Sequence, residues 1–150
     1  MSSSNDPTDD QTGRFVKQPN GRVRPLSPHL QVWRFHLTMA ASILNRMAAG
    51  ALYFGILAVA LWVVCAGFGP GAYGVYSAVS SSPIGLLVWF GLTLAATYHL
   101  FAGIRHLVWD AGAGLTPRTA TNLTVISIIA AVVFSLILWI ALFASGKVSL

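Results

Sequence analysis

The 150-residue chain is 55% hydrophobic and only 9% charged, far from the roughly 25% charged residues of an ordinary soluble domain, which excludes a water-solvated globular enzyme. Its formal net charge of +5 comes from nine Lys and Arg against four Asp and Glu. Those basic residues are spread along the flanks of apolar stretches instead of forming one basic face, which argues against a nucleic-acid-binding module.

Residues 1 to 23 are polar, with Ser2 to Ser4, Asn5, Asp6, Asp9 and Asp10, and read as a disordered or partner-ordered tail. No apolar core of a signal peptide follows within the first 30 residues, and three Asp in the first ten fit a mitochondrial transit peptide poorly. A bacterial inner (cytoplasmic) membrane is therefore expected. Residues 24 to 150 form the anchor. No Asp, Glu, Lys or Arg occurs from Met47 through Ile104 or from Thr119 through Gly146, and a bilayer core of about 30 Å needs about 20 apolar residues in helical form. The expected fold is all-α and integral to the membrane. Three transmembrane helices are predicted, at about 48–68 with an N-terminal extension from about 38, at 84–109 and at 123–144. Gly67 to Pro83, rich in Gly, Ser and Pro, is predicted as a connecting loop rather than a fourth span. Cys65, the single cysteine, lies in the first span and reads as a small packing residue.

Arg14, Lys17, Arg22, Arg24, Arg34 and Arg46 precede the first span, Arg105 and Arg118 lie at or after the end of the second, and only Lys147 falls on the other side. By the positive-inside rule the N-terminus is cytoplasmic and the C-terminus outside.

The second span ends in Tyr98-His99-Leu100-Phe101-Ala102-Gly103-Ile104-Arg105-His106-Leu107-Val108-Trp109-Asp110. At about 100° per residue, His99, Gly103, His106 and Asp110 share one face. His106 and Asp110 then lie near the cytoplasmic surface, with His99 about 10 Å deeper at 1.5 Å per residue. An ionisable residue at that depth is expected to point into the bundle and to have a partner. Such a histidine can hold two helices together by a hydrogen bond, or it can be a ligand. Gly103 favours the ligand, because a glycine one turn away clears the face on which a flat macrocycle would lie, and a neutral imidazole is a good axial ligand for haem iron. Close helix packing is the other reading of Gly103. Haem propionates would face Arg46, Arg105 and His106. The chain has four histidines, His29, His36, His99 and His106, and none in the first or third span. A second imidazole facing His99 must come from another subunit or another copy. Ser42 and Arg46 lie four residues apart, on one face where the first helix begins. On their own they read as an N-terminal serine with a snorkelling arginine, with a hydrogen-bonding pair for a quinone carbonyl as the alternative.

Two motifs carry a resemblance. One is Arg24-Pro25-Leu26-Ser27-Pro28-His29-Leu30 followed by Leu37-Thr38-Met39 and Ser42-Ile43-Leu44-Asn45-Arg46; the other is His99-x-x-x-Gly103-Ile104-Arg105-His106-Leu107-x-Trp109-Asp110-x-Gly112. Together they resemble the cytochrome b subunits of succinate dehydrogenase, the larger membrane anchors of respiratory complex II. The resemblance implies that His99 is an axial ligand of haem b shared with a smaller membrane anchor subunit, which supplies the other ligand. It also implies that Ser42, Ile43 and Arg46 line a ubiquinone site next to an iron-sulfur subunit, with succinate oxidised in a flavoprotein subunit. The chain departs from the family pattern at Asn45, where a histidine is usual, and at Ala48, where Ser or Thr is usual. Asn45 can hydrogen-bond but carries no charge. The competing expectations are the anchor of a fumarate reductase, and a non-catalytic membrane scaffold or transporter component in which His99 only joins helices.

Overall fold

The computed structural model describes residues 15–17, 19–25 and 35–148, in two compact units divided after Phe35. In the first unit β1 (Phe15–Lys17) pairs antiparallel with β2 (Val23–Pro25). Asn20-Gly21 turns the chain between them: Gly21 takes φ 78°, and the Asn20 side-chain oxygen accepts from the Arg22 amide at 3.1 Å. Asn-Gly is a strong hairpin signal, so the segment read from its polarity as a tail holds a short strand pair. Residues 26–34 lie outside the described residues, and with them Leu26 to Leu30 of the first motif, His29 included.

The second unit is helical. α1 (Leu37–Gly67), α3 (Pro83–Asp110) and α4 (Pro117–Ala144) have 31, 28 and 28 residues, or about 46, 42 and 42 Å at 1.5 Å per residue, each longer than a bilayer core of about 30 Å. All three are long and apolar enough to cross a membrane, and the chain is a multi-pass membrane protein. α4 starts six residues before the predicted position. Pro117 occupies its first turn and the Thr116 hydroxyl accepts from the Thr119 amide at 3.4 Å, a proline-and-cap start that hydropathy does not register.

The predicted loop at 67–83 is a helix for most of its length, α2 (Pro70–Ser80). Gly69, at φ 99°, turns the chain, and Pro70 presets the first helical turn. At 11 residues, about 16 Å, α2 is too short to span. Its Tyr76 hydroxyl donates to the Ala58 carbonyl of α1 at 3.0 Å. Ser82 then caps α3, its hydroxyl accepting from the Gly85 amide at 3.1 Å. A Cβ at Gly85 would run into the Val79 and Ser80 carbonyls, so this tight junction requires glycine.

Without water to drive helices together, membrane helices associate through small residues and interhelical hydrogen bonds. α4 buries Thr124, Ser127, Ala131, Ser135 and Trp139, one stripe at spacings of three and four. α3 answers with Thr97, Tyr98, Ala102 and Arg105. The Thr97 and Ser135 hydroxyls lie 2.7 Å apart, while Ser135 donates to the Ala131 carbonyl of its own helix at 2.8 Å. α1 buries Ala41, Ala48 and Gly55 at a spacing of seven. At Gly55 a Cβ would come within 3.2 Å of the Leu92 side chain.

Candidate functional site

The residues singled out by the sequence are divided between exposed positions on α1 and α3 and one buried position, Arg105, on another face of α3. His99, Gly103, His106 and Asp110 are all exposed on one face. Within this chain that stripe does not point into the bundle, contrary to expectation; the buried face of α3 is the one carrying Thr97, Tyr98, Ala102 and Arg105. Ser42, Ile43 and Arg46 are likewise exposed on α1. Among the described residues, no side-chain hydrogen bond or ion pair engages Ser42 or Arg46.

Adjacent residues of α3 bring these helices together. Tyr98, buried, donates its hydroxyl to the Ala41 carbonyl at 2.9 Å, and one residue later His99 Nδ1 lies 3.0 Å from Asn45 Oδ1. Ala41 and Asn45 are one turn apart on α1, so two successive α3 side chains grip one turn of α1. An amide oxygen only accepts, so with Asn45 Oδ1 turned toward the ring the Nδ1–H tautomer is the one that completes this hydrogen bond. The other nitrogen, Nε2, then keeps its lone pair, and on this exposed side chain it is free to bind an external group.

Small residues flank His99 along its helix. Ala96, exposed, lies three residues before it, and Gly103 four after. A Cβ at Gly103 would meet nothing within 4 Å, so packing inside this chain does not account for the glycine. Below His99 an apolar groove of about 520 Å³ runs between α1 and α3, lined by Leu52, Gly55, Ile56, Leu92 and Ala96 among others.

Arg105 belongs elsewhere. Only 4% exposed, it donates from Nη1 to the Thr124 hydroxyl at 3.2 Å and the Ser127 hydroxyl at 3.4 Å on α4. Its guanidinium carbon lies 5.0 Å from the centroid of the Trp109 ring, a cation–π contact. Six residues from His99, it sits about 120° around the helix from the stripe, so the structure does not bring it together with Arg46 and His106. His106 instead meets the Trp109 ring edge-on, with centroids 5.2 Å apart. Two features escaped the sequence reading. The Asn45–His99 contact joins residues 54 apart and leaves no local signal. The burial of Arg105, by contrast, was legible in its angular offset.

Comparison with known proteins shows the family. A family model described as succinate dehydrogenase/fumarate reductase transmembrane subunit matches residues 20–141. The succinate dehydrogenase cytochrome b556 subunit of Paracoccus denitrificans is 40% identical over 120 residues, covering 80% of this chain and 92% of that protein. The protein of that name from Rickettsia bellii is 35% identical over 126 residues, covering 83% and 98%. The mitochondrial cytochrome b560 subunit of Sus scrofa is 36% identical over 132 residues, covering 81% and 73%. A bundle of three spanning helices with its polar stripe turned outward, and the match of most of its length, give one conclusion: the chain belongs to the family of succinate dehydrogenase/fumarate reductase transmembrane subunits, the membrane-embedded part of that enzyme.

Proposed function

We propose that this chain is the haem b-binding anchor of a succinate:quinone oxidoreductase in a bacterial inner membrane, with its N-terminus cytoplasmic and its C-terminus outside. The observation that carries the reading is the exposed His99 imidazole, whose Nδ1 is held by Asn45 while Nε2 stays available as an axial ligand. The donor chemistry and the space both suit haem. A neutral imidazole is a proper iron ligand, and Ala96 and Gly103 keep the face on either side of it free of bulk. Haem b, when bound, supplies a one-electron redox centre beside the quinone site.

His99 supplies one ligand to the iron. The second comes from the smaller anchor subunit, which covers the open face of α1 and α3. Arg46 and His106, both exposed, are the groups available to propionates; Arg105 is committed to α4 and holds the bundle instead. Ser42 and Arg46 donate hydrogen bonds to a quinone oxygen with Ile43 against the ring, next to the iron-sulfur subunit. Electrons from succinate, oxidised in the flavoprotein subunit, pass through that subunit to ubiquinone here. A quinone needs two protons as well as two electrons, so a site on the end of α1 near the aqueous surface suits the chemistry.

The test is the redox difference spectrum of the assembled complex. His99→Ala is expected to abolish the low-spin b-type signal and His106→Ala to retain it. The reverse order would assign the ligand wrongly, and a colourless wild-type complex would leave His99 as a helix-joining residue in a scaffold.

A further inference from the structure

The geometry points to Asn45 as the positioning residue of the haem ligand: its amide oxygen, accepting from His99 Nδ1, selects the tautomer whose Nε2 can bind iron and holds the ring in that orientation. This rests on the reading of His99 as an axial ligand and adds a residue to it.

A neutral imidazole carries one proton on either of its two nitrogens, and only the Nδ1–H form presents Nε2 as a donor of electrons. On an exposed, lipid-depth face the ring is otherwise free to rotate about its side-chain bonds and to exchange tautomers. The 3.0 Å contact removes both freedoms. Asn45 itself is held in place, since it lies in α1, partly buried, one turn beyond Ala41, whose carbonyl accepts the buried Tyr98 hydroxyl at 2.9 Å. The contact therefore rests on a fixed spacing between two helices. Partners of this kind also make a ligating imidazole more basic and typically account for about 10- to 100-fold in metal affinity. An amide does so without titrating, so the hydrogen bond persists across pH. At this position the resemblance leads one to expect a histidine, which could take either role in a hydrogen bond. Asparagine keeps an acceptor in place by turning its oxygen toward Nδ1.

The experiment measures haem retention and haem midpoint potential in assembled complexes of Asn45→Asp, Asn45→Leu and His99→Ala. Asn45→Asp keeps the shape and offers a stronger acceptor, so the potential is expected to fall below wild type as the imidazole gains basicity. Asn45→Leu removes the acceptor; haem is expected to be held about 10- to 100-fold more weakly, with the potential of what remains raised. A purely structural role for Asn45 would leave the potential of Asn45→Asp unmoved. That outcome, together with loss of haem in His99→Ala, would overturn the positioning role alone. A low-spin haem that survives His99→Ala would overturn the ligand assignment beneath it. Should Asn45→Leu fail to assemble, the near-isosteric Asn45→Asp still decides.

Discussion

The two faces of α3 solve opposite problems. Toward α4, polar groups meet partners within the chain: Thr97 meets Ser135, and Arg105 Nη1 meets Thr124 and Ser127, while Arg105 Nε is buried without one. On the other face, His99, Gly103 and His106 remain exposed, as do Ser42 and Arg46 on α1, and among the described residues His99 alone of these has a side-chain hydrogen-bond partner. Polar groups left facing lipid are costly. A helix with one polar face packed inside its own bundle and another left exposed is therefore covered on one side and open on the other. Burial tells structural polarity from functional polarity here, where composition cannot.

The strongest way to break this contrast is to make the chain without its smaller anchor partner. The expected outcome is complete loss of the six-coordinate low-spin haem spectrum while the helical circular dichroism of the bundle persists. A normal low-spin spectrum from the monomeric chain would show that the outer face is complete by itself.

Next in size is a pair of glycine variants. Gly103→Leu adds a side chain where this chain has nothing within 4 Å, whereas Gly55→Leu drives one into Leu92. Gly103→Leu should leave the bundle's thermal stability unchanged and deplete haem in the complex; Gly55→Leu should lower thermal stability first. Equal behaviour of the two would erase the distinction between the faces.

Arg46→Ala is expected to cut quinone reductase activity by about 10- to 100-fold, the equivalent of a lost charge-assisted hydrogen bond of about 1.5–3 kcal/mol. Ser42→Ala should cost less, and reduction of an artificial dye that takes electrons upstream should survive both. Loss of dye reduction in parallel would point to failed assembly.

On the inner face the effects should be smaller and of another kind. Arg105→Ala removes two hydrogen bonds and a ring contact, so about 1–3 kcal/mol of stability should go, read as a lower melting temperature with the haem spectrum kept. Disappearance of haem would return Arg105 to the propionates. Thr97→Val is the mildest, at about 0.6 kcal/mol, the average for an interhelical membrane hydrogen bond, and a shift of several-fold that size would mean that the Thr97–Ser135 pair organises more than its own contact.

The spans were legible because long charge-free stretches have few structural solutions in lipid. Helix ends were less so: α4 and α2 begin at Thr116-Pro117 and Gly69-Pro70, signals of local backbone chemistry that an apolar count ignores. The stripe from His99 to Asp110 was legible from periodicity, but the side of the bundle it faces was not, because that depends on which of two polar faces α4 selects. α4 takes the face with Thr97 and Ala102, where small side chains allow close approach. Asn45 was visible only as an uncharged substitute for a histidine, since its meaning depends on a residue 54 positions away.

Ser42, Asn45 and Arg46 occupy little more than one turn of α1, whose 31 residues exceed a bilayer core by about ten residues. The proposed quinone contacts and the proposed support for the haem ligand would thus be graduations on a single rigid ruler. Their separation is set by backbone hydrogen bonds, about 1.5 Å per residue, and not by loops or rotamers. A motion that tilts α1 therefore carries Ser42, Asn45 and Arg46 together and leaves the intervals between them unchanged.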